Sequence, residues 1–329
     1  LKAMYKNDDH FEGTLTVLTI HNLAYQGVFP KEDLQTTGLD AGYYNWRQLE
    51  YYGKINLLKA GIVFSDVITT VSKKYSEEIQ TEEFGAGLDG VLKERGKDIY
   101  GIVNGIDYSV WSPDVDGLIP AEYGPNNLEG KNICKKYLQE KVKLAVKDVP
   151  LIGMIGRLTV QKGIDLIIEC WDELMKLDIE FILLGTGDRK YEDALKEQAD
   201  RYPGKASVNI GFDNKLSHEI EAGADMFLMP SRYEPCGLNQ LYSLRYGTVP
   251  IVRKTGGLAD TISASVGFVF ESYSSKEMLK AVQKAVETYN DRAKWTELMR
   301  AGMLQDWSWE KSARRYTNLY QDALKGIRS

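Results

Sequence analysis

The 329-residue chain has little cysteine and little histidine, and no apolar run approaches the ~20 residues that span a bilayer. Cys134, Cys170 and Cys236 are odd in number, far apart and without a CxxC pair. That excludes a disulfide framework and fits three free thiols in a reducing compartment. His10, His21 and His218 are equally scattered, so no Cys/His pair stands at zinc-ligand spacing. Nothing at the start reads as a secretory signal. A complete GxGxxG is also absent. Leu184–Asp188 (LGTGD) begins like one, but Lys190 stands where the third glycine belongs, so a tight strand–loop turn near a nucleotide is expected instead. With 41 Lys and Arg against 47 Asp and Glu, the formal charge of −6 gives no general attraction to nucleic acid or to an acidic membrane surface.

What is present is ordinary globular material, 43% apolar and 27% charged, in a chain long enough for two lobes. Leu1–Tyr5 reads as the end of a helix. Strands are expected at Leu15–Ile20, Val63–Val71 and Ile99–Asn104, with helices at Lys73–Gln80 and Leu88–Glu94. Residues 107–130 are rich in Pro, Gly, Asp and Asn and read as linker. Thereafter short apolar runs alternate with amphipathic stretches. Strand Leu151–Ile155 precedes helix Gly163–Met175, Glu180–Leu184 precedes Tyr191–Arg201, and Ser207–Gly211 precedes Lys215–Glu221. Met226–Pro230 precedes Asn239–Tyr246, Val249–Arg253 precedes a short helix near Leu258–Ile262, and Gly267–Phe270 precedes Ser275–Tyr289. This alternation predicts an α/β fold with a parallel sheet covered on both faces, whose ligands sit at the C-terminal strand edge.

Each motif can be placed against that edge. In Leu151–Gly163 (LIGMIGRLTVQKG) a buried strand is followed by Arg157 and Lys162, just before a helix begins. Two cations beside free N–H groups suit a diphosphate leaving group, although loop cations are also found simply solvated. In Asp225–Leu238 (DMFLMPSRYEPCGL), Glu234 precedes a proline and is kept out of helix. It can serve a sugar hydroxyl or a developing positive charge, or stand as an acid ahead of a helix N-terminus. Cys236 reads as a small packing residue, not a nucleophile. Val249–Asp260 (VPIVRKTGGLAD) runs a strand into Thr255-Gly256-Gly257, where backbone can approach phosphate or sugar closely, unless this is only a tight turn. His21 ends the strand Leu15–Ile20 and is read either as facing a substrate oxygen or as structural. Asp114-Val115-Asp116 spells a metal-diphosphate DxD, but it lies in the linker with no strand end before it. With Arg157 and Lys162 available, no metal is required.

Together these segments resemble the bacterial glycogen synthase and plant starch synthase family. The matching stretches are Thr19–Pro30 (TIHNLAYQGVFP), Gly85–Leu92 (GAGLDGVL), Asn104–Asp107 (NGID), Gly156–Gly163 (GRLTVQKG), Ser231–Tyr242 (SRYEPCGLNQLY) and Thr255–Thr261 (TGGLADT), in the family's order and across almost the whole chain. The resemblance implies a GT-B fold of two Rossmann-like, doubly wound domains facing a cleft. It implies residues 1–104 as a partial acceptor-side domain, 105–306 as the nucleotide-sugar donor domain with 105–130 as hinge, and 307–329 as a helix returning to the first domain. The implied reaction moves glucose from ADP-glucose to the non-reducing end of an α-1,4-glucan with retention.

Arg157 and Lys162 would hold the donor diphosphate. Glu234 would lie at the donor sugar, and His21 would reach the reacting glucose. Cys236, Gly237, Leu238, Thr255, Gly256 and Gly257 would line the donor site, with Asn104 near the hinge. No cofactor or metal is implied, and no nucleic-acid or membrane partner. The setting would be the cytoplasm of a bacterium or the stroma of a plastid. The family's acceptor lobe opens with a Lys-X-Gly-Gly-Leu loop that nothing before His21 supplies. The N-terminal lobe is therefore expected to be incomplete here, and the isolated chain to be weakly active or inactive and prone to associate. The Ser-Ala-Ser-Val link between Ile262 and Gly267 is shorter than relatives carry. Other readings are a glucan- or nucleotide-sugar-binding fragment without catalysis, a nicotinamide oxidoreductase, and a phosphorylase carrying pyridoxal phosphate.

Overall fold

The computed structural model describes residues 2–5 and 7–328, the last two of these through their backbone only. Two compact units are present: residues 1–104 with 312–329, and residues 105–311.

In the first unit, β1 (Val17–Ile20), β2 (Val28–Pro30), β3 (Glu50–Tyr51) and β4 (Lys54–Asn56) precede α1 (Leu57–Phe64), β5 (Val67–Thr70), α2 (Lys73–Glu78), α3 (Asp89–Glu94) and β6 (Ile99–Gly101). Strands β1, β5 and β6 form a parallel sheet in the order β1-β5-β6, and β2, β4 and β3 form a small antiparallel one. Of the strand expected at Val63–Val71, Val67–Thr70 is strand, while Val63 and Phe64 end α1. The Asn56 side chain accepts the Lys59 N–H at 2.9 Å and starts α1, which runs through Phe64 before the chain extends. A capped start and the fully buried Ile62 outweigh the strand preference of the β-branched run. Lys2–Met4 form a turn, not the expected helix end, and Leu1 lies outside the described residues.

The second unit contains α4 (Glu129–Lys141), β7 (Leu151–Ile155), α5 (Ile164–Glu169), α6 (Trp171–Lys176), β8 (Glu180–Gly185), α7 (Arg189–Asp200) and β9 (Ala206–Ile210). It continues with α8 (Asn214–Gly223), β10 (Met226–Met229), α9 (Asn239–Arg245), β11 (Val249–Arg253), α10 (Gly256–Thr261), β12 (Phe268–Phe270), α11 (Ser275–Tyr289) and α12 (Arg292–Met303); α13 (Trp309–Arg328) then closes the chain. All neighbouring strands pair in parallel in the order β12-β11-β10-β7-β8-β9. Alternate residues feed two cores. Met226 and Leu228 of β10 join one, while Phe227 and Met229 join the other. Side-chain alternation in a strand buried on both faces requires this, and it explains the near-continuous apolar runs.

The helix expected over Gly163–Met175 is broken at Cys170, and Trp171 beyond the break is buried edge-on against Phe181, with ring centroids 5.5 Å apart. The short link after Ile262 closes as a turn in which Val266 and Gly267 both donate to the Ser263 carbonyl at 3.0 Å. Residues 105–130, expected as hinge and linker, are packed into this unit, the last two already in α4. Trp111 is stacked between His218 and Tyr242 at 3.7 and 4.0 Å, and Tyr123 donates to the Tyr246 carbonyl at 2.9 Å. Buried aromatics hold what composition alone marks as flexible.

Candidate active site

The winding of the second sheet reverses between β7 and β10: the chain runs out through β8 and β9, then returns to the other side of β7. Crevices outside the strand ends at such a reversal are where open α/β sheets bind ligands. The loop leaving β7 carries Arg157 and Lys162, and the loop leaving β10 carries Glu234.

These two loops are tied together. Lys162 Nζ stands 2.5 Å from Glu234 Oε2, and the Ser231 hydroxyl donates to the same oxygen at 2.9 Å. The Glu234 side chain is 6% exposed and that of Lys162 is 20% exposed, so the carboxylate is held away from water and the ammonium is open on one side. Arg157 Nη2 donates to Gln161 Oε1 at 2.8 Å, and the Gln161 carbonyl accepts the Arg232 N–H at 2.8 Å. Asn239 crosses from the start of α9 to the Ile155 carbonyl at the end of β7, at 2.9 Å. Glu234 lies in loop ahead of α9, with four residues between it and the helix start at Asn239.

Cys236, Gly237 and Leu238 continue the Glu234 loop, and Thr255, Gly256 and Gly257 enter α10 beside it. The glycine pair has a steric cause. A Cβ on Gly256, which has φ +42°, would collide with the Glu234 carbonyl oxygen, and one on Gly257 with the Cys236 carbonyl oxygen. Gly257 N–H is already engaged, donating to the Glu234 carbonyl at 2.9 Å. The pair therefore brings α10 against the glutamate loop, and Gly257 N–H is not a free donor for a ligand. The glycines of LGTGD serve similarly. Side chains on Gly185 and Gly187 would strike the carbonyls of Gly156 and Leu158, where the two strand ends close up.

Next to Arg157, a concavity of about 230 Å³ opens at the ends of β7, β8 and β9. Gly156, Leu184, Thr186, Phe212 and Ser217 line it, and Phe212 is 90% exposed. Sequence reasoning passed over Phe212, although it directly follows a strand. It also passed over Ser231 and Gln161, which are recognisable only by their contacts. Two further cations, Arg232 and Arg253, flank the Tyr273 ring at 5.5 and 5.6 Å, and Tyr273 donates to Asp165 Oδ1 at 2.6 Å. Burial first, and Asp165 second, push the Tyr273 hydroxyl well above the ordinary tyrosine range, keeping it a neutral donor.

His21 and Asn104 belong to the first unit. His21 is exposed and directly follows β1, and Asn104 is half-buried at the unit's end. The DxD pair is engaged structurally: Asp116 Oδ2 bonds His218 Nδ1 at 2.7 Å and accepts from Tyr246, while Asp114 meets Arg245 at 3.1 Å. Among the described residues, no group of three or more His, Cys, Asp or Glu could hold a metal ion, and no helix is long and apolar enough to cross a membrane.

Residues 1–94 match the family described as starch synthase catalytic domain, and residues 136–301 match glycosyl transferases group 1. The chain is 50% identical to a glycogen synthase of Fervidobacterium nodosum and 51% identical to one of Thermotoga maritima. In each case 99% of this chain and 69% of the relative are covered. The solved catalytic domain of starch synthase IV from Arabidopsis thaliana, bound to ADP and acarbose, superposes with a TM-score of 0.90 at 32% identity, covering 98% of this chain and 70% of that one. A sucrose-phosphate synthase from Thermosynechococcus elongatus, at 16% identity and a TM-score of 0.60, covering 94% of this chain and 68% of that one, shares the fold alone. A doubly wound sheet with its charged loops at the reversal, seen alongside these likenesses, defines a glycosyltransferase of the GT-B fold class. The chain belongs to the glycogen synthase and starch synthase family, and its function is glucan synthesis.

Proposed function

We propose that the donor is ADP-glucose and the acceptor the non-reducing end of an α-1,4-glucan, with retention at the anomeric carbon. The observation that carries this reading is the Lys162–Glu234 contact bridging the two loops at the sheet reversal. With Arg157 added, two cations face this one carboxylate, and Arg232 stands on the same loop as Glu234, a net positive seat for a departing diphosphate. Electrostatic stabilisation of leaving-group charge in a partly dried site is worth about 10²–10³ in rate per donor.

In this reading Arg157 offers a planar fork and Lys162 a point charge to the phosphates. The base lies against Phe212 in the adjoining concavity. Glu234, oriented by Ser231 and Lys162, accepts from the glucose hydroxyls. Since the Ser231 hydroxyl and the Lys162 ammonium both hold its carboxylate in the loop contact, it is assigned binding and charge balance, not nucleophilic attack. The leaving phosphate takes the acceptor proton on the same face, which retains configuration. His21 and Asn104 are assigned to the donor glucose and the cleft. Residues 1–104 act as the acceptor side and 105–306 as the donor domain, with 307–329 returning to the first. The bacterial relatives support a cytoplasmic setting.

The test is calorimetric titration with ADP-glucose and UDP-glucose, alongside labelled glucose transfer to glycogen. Tighter binding of ADP-glucose, weakened by Phe212→Ala, is expected. Equal binding of both donors, or binding indifferent to Phe212, would overturn the donor assignment. Binding without any transfer would favour a non-catalytic binding fragment.

A further inference from the structure

The loop that carries Glu234 is gripped by an arginine distinct from Arg157. Arg253 ends β11, and all three nitrogens of its guanidinium group donate to main-chain carbonyls: Nε to Ser231 at 2.9 Å, Nη1 to Glu271 at 3.2 Å, and Nη2 to Arg232. Ser231 and Arg232 lie just ahead of Glu234 on the loop leaving β10, and Glu271 follows the end of β12. The Ser231 hydroxyl is the group that donates to Glu234 Oε2 at 2.9 Å. One buried serine is thus held through its carbonyl by Arg253 while its hydroxyl orients the carboxylate.

The grip extends to the loop of Arg157 and Lys162. Tyr273, two residues beyond Glu271, donates to Asp165 Oδ1 at 2.6 Å in the first turn of α5, and its hydroxyl oxygen lies 3.2 Å from the Val160 carbonyl oxygen. The Arg253 guanidinium lies 5.6 Å from the Tyr273 ring, within cation–π range. The contacts therefore close a ring. They run from the β7 loop through Tyr273 to Arg253, from Arg253 to Ser231 and Arg232, and from Glu234 back to Lys162 at 2.5 Å. The Lys162–Glu234 pair standing alone would have to order a long lysine side chain against its rotamer freedom. The ring fixes the spacing of the two loops through backbone as well.

Residue type supports this role. A guanidinium group is a planar fork of N–H donors, so it can meet carbonyls of two segments at once, whereas an ammonium donates from a single atom. Bonds from a charged donor are also stronger than neutral ones. With each nitrogen of Arg253 engaged by main chain, its side chain serves the shape of the site and not the charge of the diphosphate.

We propose that Arg253 is a positioning residue for glucose transfer. It holds the Ser231–Arg232 segment so that the Glu234 carboxylate meets the donor sugar beside Lys162, with Tyr273 as the strut to the cation loop. The proposal rests on the assignment of Glu234 to the donor glucose. A misplacement of about 1 Å at a reacting centre costs about 10²-fold in rate, so a residue one contact removed from the carboxylate acts on turnover without touching substrate.

The test measures ADP-glucose and ADP affinity by calorimetry, together with glucose transfer to glycogen, for Arg253→Ala with and without Glu234→Gln. Arg253→Ala should weaken ADP-glucose binding about tenfold, the worth of one hydroxyl bond to a carboxylate, and leave ADP binding within about twofold. It should lower kcat about 30-fold. Calorimetry reads the effect whatever the rate of transfer. In the Glu234→Gln chain the same substitution should cost no more than about twofold in ADP-glucose affinity, because the two residues act as one unit. Arg253→Lys should recover only part of the loss, and it serves if Arg253→Ala does not fold. Equal loss of ADP and ADP-glucose binding would overturn the proposal, since it would mean a general loosening of the site. So would losses that multiply in the double variant, or full recovery by lysine. A Glu234→Gln chain that binds ADP-glucose as tightly as the parent would sink the assignment of Glu234 itself, and the positioning role with it.

Discussion

In residues 105–311, six parallel strands are buried on both faces, and every motif loop leaves the same edge. In residues 1–104 with 312–329, three parallel strands share one modest core around Ile20, Ile62, Ile68 and Tyr75, and a separate small sheet carries the hairpin. Their strands also differ in chemistry. The inner strand β10 is wholly apolar, whereas β5 carries Thr69 and Thr70, which bond sideways to Thr19 at 2.8 Å and to the Ile20 carbonyl at 2.7 Å. A sheet packed on two sides leaves strong apolar runs in the sequence. A smaller sheet held partly by hydroxyls does not. The first region consequently offers surface chemistry, with His21 and Trp46 both exposed, while the second offers a crevice with an excess of positive charge.

The contrast is sharpest at the two cations. Arg157→Ala and Lys162→Ala should each lower glucose transfer from ADP-glucose by about 10²–10³-fold, while His21→Ala reports the other region's share separately. Near-normal turnover in both cation variants would move the chemistry out of the second region altogether. Gly257→Ala should cost about 10²-fold in kcat, because its new methyl must push the glutamate loop away from Lys162. A steady-state assay with an unchanged melting temperature would separate this displacement from unfolding.

The next two outcomes concern stability. Trp111→Ala should destabilise the second region by about 3 kcal/mol in urea titration, since it empties the stack between His218 and Tyr242. If residues 105–130 were a true linker, the change would be close to neutral. The smallest effect is a pH dependence. Burial pushes the Glu221 carboxyl up to about 8, with one oxygen accepting from Ser243 at 2.7 Å and the other unpartnered. The native state then keeps a proton that the unfolded chain releases near its ordinary value, so this group's stability contribution is whole in acid and is lost as pH rises towards 8. Glu221→Gln should remove that loss and raise the melting temperature at pH 8 by about 3 °C relative to the parent, with little gain at pH 5. Burial likewise lowers Lys131 to about 8, which restores stability only above that pH as the unfolded lysines stay charged.

Much of the second region was legible because its periodicity is simple. Leu151–Ile155 and Val249–Arg253 appear as strands where apolar runs predicted them. The first region misled at Val63, since a helix cap seven residues upstream decides that segment and a β-branched run does not reveal it. Proline- and glycine-rich residues after Asp107 looked like linker because the aromatics that bury them lie on α8 and α9, over a hundred positions away in sequence. At the site, residue type and strand-end position picked out Arg157, Lys162 and Glu234. Phe212, just beyond a strand end, was passed over although it carries that positional signal, whereas Ser231 and Gln161 have none and emerge only from proximity.

The order of apolar runs, the loop cations and the glutamate before a proline were determined by the sequence itself, because local chemistry and chain spacing suffice to specify them. That Lys162 closes on Glu234, that α10 abuts the same loop through its glycines, and that Arg253 spans carbonyls of two separate segments were decided by the tertiary structure. Each needs residues from separate segments brought within a few ångströms, and no periodicity along one segment encodes such a meeting.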